Sequence, residues 1–233
     1  MDDQNAFAAA FALMLRLDPA FVGIVGLSVR LVLSSVFISA AIGLPLGAAL
    51  ALARFPGRDA TIVVFNTLMG FPPVVAGLIV YLLLSHSGPF GFLDLLFTLP
   101  GMIIAQTVLI TPIIASLTRQ VVEDLWAEYA EQLRSLGSSA LRAIPTLLWD
   151  SRFSLITTLL AGFGRASAEV GAVLIVGGNI EHVTRTMTTA IALETSKGDL
   201  ALALGLGIIL IGLTLLLNAG AFVVGRLAQR VAG

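Results

Sequence analysis

Arg165 and Glu169 stand four residues apart in an interval, residues 153–178, that is otherwise without charge. Residues at i and i+4 share one face of a helix, so the spacing predicts an ion pair. A lone charge in an apolar medium is costly, whereas a paired one can face protein or water. Two roles fit. The pair can be structural, or Arg165 can lend positive potential to the passage of an anion while Glu169 holds its guanidinium. Pro72 and Pro73, flanked by Gly70 and Gly77, form a second group. Proline lacks the backbone donor and pushes the preceding residue out of helical geometry, so an apolar helix must bend or break there. A bend shapes a bundle. A break lets the amino end of a half-helix face an anion.

Other chemistries lack their residues. The chain has no cysteine, and His86 and His182 lie far apart in polar stretches, so neither thiol chemistry nor a metal pair is expected. No G-x-x-x-x-G-K-[ST], H-E-x-x-H, G-x-S-x-G or paired catalytic carboxylates occur. The chain is therefore read as no enzyme, with no cofactor and no nucleotide site of its own.

The elements that position these residues follow from composition. Of 233 residues 58% are hydrophobic and 12% charged, and the mean hydropathy is +1.00; soluble domains carry about 25% charged residues. This predicts an all-α, polytopic membrane protein in contact with the lipid bilayer. A net charge of -1 leaves no electrostatic footprint for nucleic acid. Residues 31–53, 60–85, 100–118 and 200–225 contain no Asp, Glu, Lys or Arg, and 153–178 contains only the pair above. Each matches the roughly 20 residues that cross a bilayer core. Five spans in a single domain, 1–233, result. The amino terminus lacks a basic signal region and is expected to be retained. Residues 6–15 are apolar but short, and Arg16, Asp18 and Pro19 follow. They predict a helix lying at the interface, with a sixth span as the alternative.

Eight basic residues, Arg54, Arg58, Arg119, Arg134, Arg142, Arg152, Arg226 and Arg230, fall on one side of such a bundle. Four, Arg16, Arg30, Arg185 and Lys197, fall on the other. The richer side is expected to be cytoplasmic, with the amino terminus outside and the carboxyl terminus inside. Two segments then remain outside the membrane, 119–152 within and 179–199 without. In the inner one Leu125, Tyr129, Leu133 and Leu136 recur at helical spacing as one stripe, Gly137 ends the helix, and Ser138 with Ser139 can cap the next. A helix lying on lipid headgroups is one reading. Glu123, Asp124, Glu128 and Glu131 would be repelled by an anionic leaflet, which favours a protein partner.

Glu131-Gln132-Leu133, three residues and then Gly137 resembles the EAA-x-x-x-G signature of bacterial ABC importer permeases, with Gln132 and Leu133 in the alanine positions. Gly43-Leu44-Pro45-Leu46-Gly47, Ala53-Arg54-Phe55-Pro56-Gly57-Arg58 and Phe71-Pro72-Pro73-Val74-Val75 resemble the first two core spans of the molybdate, tungstate and sulfate permeases. Ala168-Glu169-Val170-Gly171-Ala172 and Thr188 to Asp199 look like the tungstate-type subgroup. The resemblance implies a type I importer transmembrane domain in the cell inner membrane, a homodimer, a pair of cytoplasmic ATPase subunits and an extracytoplasmic oxyanion-binding protein. It implies that Glu128, Glu131, Leu133, Leu136, Gly137 and Ser138 belong to the segment that couples to the ATPase. The cargo implied is tungstate or molybdate. An ion-coupled secondary anion transporter is the alternative, though it would normally use more internal ionisable residues or inverted repeats.

Overall fold

A computed structural model describes residues 19–232. The interfacial helix expected at 6–15 lies outside the described residues, which form nine α-helices, one 3-10 turn and no strand. The fold is all-α. The helices are α1 (Pro19–Leu52), α2 (Arg58–Met69), α3 (Pro73–Leu84), α4 (Leu99–Ser135) and α5 (Ile144–Asp150), then α6 (Arg152–Ser167), α7 (Gly171–Gly177), α8 (Met187–Lys197) and α9 (Leu200–Ala232). Among the described residues α1, α4 and α9 are each long and apolar enough to cross a membrane. The pairs α2/α3 and α6/α7 meet the same test when each is taken as one broken span, which makes up to five.

Two features depart from the expected spans. The first helix starts at Pro19, twelve residues before the uncharged interval, because Pro19 is a favoured first helical residue and Arg30 is a single charge that a long stem can carry to the polar layer. The third does not stop at 118: α4 runs on to Ser135, since nothing between Ile113 and Ser135 breaks a helix and charge alone does not. Both α1 and α4 also continue uninterrupted through Pro45 and Pro112.

The chain divides into two compact units, and α1, α4 and α9 contribute to both. One unit comprises residues 36–71, 107–165 and 218 onward. In it Gly43 and Gly47, one turn apart on α1, meet α4 so closely that a Cβ on Gly43 would lie 2.9 Å from Ile114 Cγ2, while one on Gly47 would collide with the Ala115 carbonyl oxygen. Lipid offers no hydrophobic drive for helix pairing, so close backbone approach at small residues is what favours it. A separate core of Ala48, Leu52, Val122, Ala143 and Leu147 joins the end of α1 to α4 and α5. Leu147 is fully buried, and removing such a side chain from water contributes about 2 kcal/mol.

The other unit comprises described residues 19–35, 72–106 and 166–217. Phe21 packs with Met187, Ala190 and Leu206, and Leu31 with Met102 and Val173. The Ser28 hydroxyl donates to the Ile24 carbonyl at 2.8 Å and accepts from the Met187 N–H at 2.7 Å, fixing α1 against the start of α8. Thr186 and Thr189 close a reciprocal capping box there, which satisfies two amide donors that a helix start leaves unpaired.

Candidate functional site

The span holding Pro72 and Pro73 is broken rather than bent. Gly70 and Phe71 amides close α2 on the Thr67 and Leu68 carbonyls at 3.1 and 3.2 Å. Pro72 is extended, with φ −62° and ψ 123°, and Pro73 opens α3 at a position where a missing amide hydrogen costs nothing. Of the two roles that the prolines allowed, the chain adopts the break.

The second break corrects an expectation. Arg165 and Glu169 do not share a helical face, because α6 ends at Ser167 and α7 starts at Gly171. Glu169 lies between the two helices, buried, with its Oε1 accepting the Ala172 N–H at 3.0 Å. A carboxylate that binds an amide at a helix start competes with continuation of the preceding helix. Arg165 stays in the last turn of α6, within the unit that contains residues 107–165.

Within the other unit, the two half-helices that follow the breaks pack together. A Cβ on Gly77 of α3 would lie 2.7 Å from Ala172 Cα of α7, and one on Gly171 would lie 2.9 Å from Val74 Cγ2 and 3.6 Å from Pro73 Cβ. The amino ends of α3 and α7 are thus neighbours. The segment between α6 and α7 is tied down by the Thr188 hydroxyl, which donates to the Glu169 carbonyl at 2.8 Å, and the last turn of α6 by the buried Gln106 amide, which donates to the Ala166 carbonyl at 3.1 Å. Sequence reasoning missed both. Thr188 lay in a polar outer segment whose pattern carried a resemblance and no partner, and a single glutamine inside an uncharged span carries no periodic signal.

In residues 119–152 the apolar stripe is partly as expected. Leu125, Tyr129 and Leu133 are half-buried against the core around Val122 and Leu147. Leu136 leaves the stripe and is 82% exposed, because the helix ends one residue earlier. Gly137 then adopts φ 78°, and the Ser138 amide reaches back to the Leu133 carbonyl at 2.9 Å, closing the helix in the manner of a left-handed glycine cap. Ser138 and Ser139 do not cap the next helix, whose amino cap is Ala143. A looser turn over 140–143 intervenes, with the Ala143 amide 3.1 Å from the Ser139 carbonyl. Glu128 and Glu131 are exposed. Leu141 and Trp149 join Leu136 as exposed apolar groups, and the Arg152 guanidinium stacks 5.0 Å above the Trp149 ring.

A charge network unanticipated from sequence braces this segment. Glu123 accepts from Arg119 through one carboxylate oxygen and from Arg58 through the other. Arg58 also donates to the Leu50 and Ala51 carbonyls at 2.9 and 3.1 Å, which a helix end would otherwise leave unpaired. The i, i+4 spacing of Arg119 and Glu123 was visible; the partner 65 residues upstream was not.

The described residues are all helical, with apolar helices long enough to cross a membrane and two interrupted pairs whose second halves pack together. The chain belongs to the family described as the binding-protein-dependent transport system inner membrane component, the membrane subunits of ABC importers, whose pattern matches residues 43–231. It is 40% identical over 203 residues to a probable anion ABC transporter permease protein of Haloferax volcanii, covering 85% of this chain and 88% of that one. It is 37% identical over 215 residues to a tungstate uptake system permease protein of Peptoclostridium acidaminophilum, covering 92% and 94%. A sulfate transport system permease protein of a Synechocystis species is 29% identical over 204 residues, covering 83% and 72%.

Proposed function

We propose that the chain forms the translocation pathway of an ATP-driven importer of a tetrahedral oxyanion, with tungstate the cargo and molybdate its nearest competitor. The observation that carries this reading is the 37% identity to a tungstate uptake permease, sustained over 92% of the chain. A dianion crossing the membrane needs positive potential and hydrogen-bond donors in place of water. Arg165 supplies the charge on this reading, and the break at Pro72 and Pro73 leaves the partly positive amino end of α3 within the span. Glu169 holds the second break in shape.

On the same reading the chain hydrolyses no ATP. A cytoplasmic ATPase dimer docks on residues 123–140 and the neighbouring turn, where Glu128, Glu131 and Ser138 supply polar contacts and Leu136, with Leu141 and Trp149, the apolar ones. Leu133 and Gly137 shape that surface from beneath. Two copies of the chain, each a single domain of five spans with its amino terminus outside and carboxyl terminus inside, receive the oxyanion from an extracytoplasmic binding protein. The test is tungsten and molybdenum content, by mass spectrometry, of cells lacking this chain and of the same cells with it restored. Restoration should raise tungsten at trace external tungstate; unchanged tungsten alongside restored sulfate uptake would reject the assignment of cargo.

A further inference from the structure

Between the first part of α1 and the loop before α8 lies a cavity of about 430 Å³. Its floor along α1 is made of small residues. Ala20, Gly23 and Gly26 recur at three-residue steps and are exposed, and nothing lies within 4 Å of a Cβ built on either glycine. Val22 beside them is 47% exposed. The opposite face of the same helix is buried through Phe21 and Ser28. Arg30, one turn beyond Gly26, closes one end together with Arg185 from the loop, and among the lining residues Glu181 alone is a carboxylate. Two guanidiniums against one carboxylate leave a positive surplus. Because Arg30 borders the uncharged interval 31–53, the trough stands on the aqueous side of the apolar layer, beyond the reach of lipid tails. Apolar surface that faces water favours a cover of its own kind.

The chain carries a matching strip immediately before α1, outside the described residues. Residues 6–15 are apolar, and Arg16-Leu17-Asp18 then leads into Pro19. A loop of that length is enough to join two antiparallel helices. A helix over 6–15 is about 15 Å long, which is also the length of α1 from Ala20 to Arg30. Folded back about residue 17, Met14 falls opposite Ala20, Phe11 opposite Gly23 and Phe7 opposite Gly26. Phe7, Phe11 and Met14 follow one another at steps of four and three, so they share one helical face. Asp3 then falls opposite Arg30, with Asp2 beside it. Large side chains meet small ones, and the acidic pair meets the basic end. We propose that residues 2–15 of the same chain occupy this trough as an antiparallel helix, with Phe7 and Phe11 seated over Gly26 and Gly23 and Asp2 and Asp3 beside Arg30 and Arg185. The short tether holds the segment near the trough at about millimolar effective concentration, an advantage no separate molecule has. The segment ties the amino end of α1 to the loop before α8, whichever anion is transported.

The chain has no cysteine, so introduced pairs report the contact directly. The test uses the full chain in its complex with the ATPase, held in nanodiscs so that both faces meet solvent. Phe11→Cys with Gly23→Cys should oxidise to a disulfide within one chain, which requires Cα atoms within about 7 Å. Phe7→Cys with Gly26→Cys is the second pair, should the first fail to fold. Ala9→Cys, on the opposite face of the segment from Phe7 and Phe11, should not link to Gly23→Cys. Gly23→Cys alone should react with a polar maleimide about ten-fold faster once Phe7→Asp and Phe11→Asp are added, the least that burial of one phenylalanine contributes. No link from either folded pair, or equal linking from Ala9→Cys, would overturn the proposal, as would labelling indifferent to the two aspartates. A link formed only between two chains would overturn it in favour of a second copy. Shielding of Gly23→Cys only after the binding protein is added would overturn it in favour of that protein.

Discussion

Gly77 of α3 faces Ala172 of α7 so closely that a Cβ on the glycine would lie 2.7 Å from the alanine Cα. The two half-helices that follow the breaks are therefore joined backbone to backbone. Gly77→Val should overpack this contact and cost about 1–3 kcal/mol. Thermal stability of the detergent-solubilised chain checks this, with Gly164→Ala, where an added Cβ meets nothing within 4 Å, as the control that should be neutral or better. Equal melting of the two variants would show that the contact is slack.

Glu123 bridges Arg58 and Arg119, side chains 26% and 13% exposed against its own 33%. Glu123→Gln leaves two cations facing one another across a neutral group, so it should lower stability by about 1 kcal/mol, more than Arg58→Gln does with Glu123 already neutral. A double-mutant cycle on the melting temperature measures the coupling. Strict additivity would mean that the network is ornamental.

Leu136 and Trp149 are expected to act outside the fold. Since they are 82% and 69% exposed, Leu136→Asp and Trp149→Ala should leave melting within about 0.5 kcal/mol of wild type. Both should lower uptake and reduce recovery of the ATPase partner in affinity purification. Loss of uptake accompanied by loss of the folded subunit would assign these residues to stability instead.

Arg165 and Glu169 now carry separable expectations. Gln at 169 keeps an oxygen for the Ala172 amide, so Glu169→Gln should fold. Arg165→Gln with Glu169→Gln should also fold and yet transport poorly, because the positive charge is gone. Normal uptake by a normally expressed double variant would leave both charges structural.

Composition and uncharged intervals made the class and the apolar helices legible. Pro72-Pro73 announced its break by chemistry that is local to two residues. The break at 168–170 was hidden, since its cause is a buried carboxylate that binds an amide three residues ahead, and the same two charges at i, i+4 read equally well as one continuous helix. Span ends were hidden for a related reason: Arg30 and Arg119 are charges that a helix passes through, so a charge count placed the end of a span where only a side chain changes. Gly77 against Ala172 joins segments about a hundred residues apart, and no single-chain periodicity encodes that pairing.

The most direct test of the central claim is tungstate accumulation in proteoliposomes that contain this chain with its ATPase, in the presence of the binding protein. Uptake should require ATP inside the ATPase compartment, the binding protein and all subunits, and liposomes bearing the chain alone should accumulate none. Tungstate uptake by the chain alone, driven by an ion gradient and indifferent to ATP, would contradict the account.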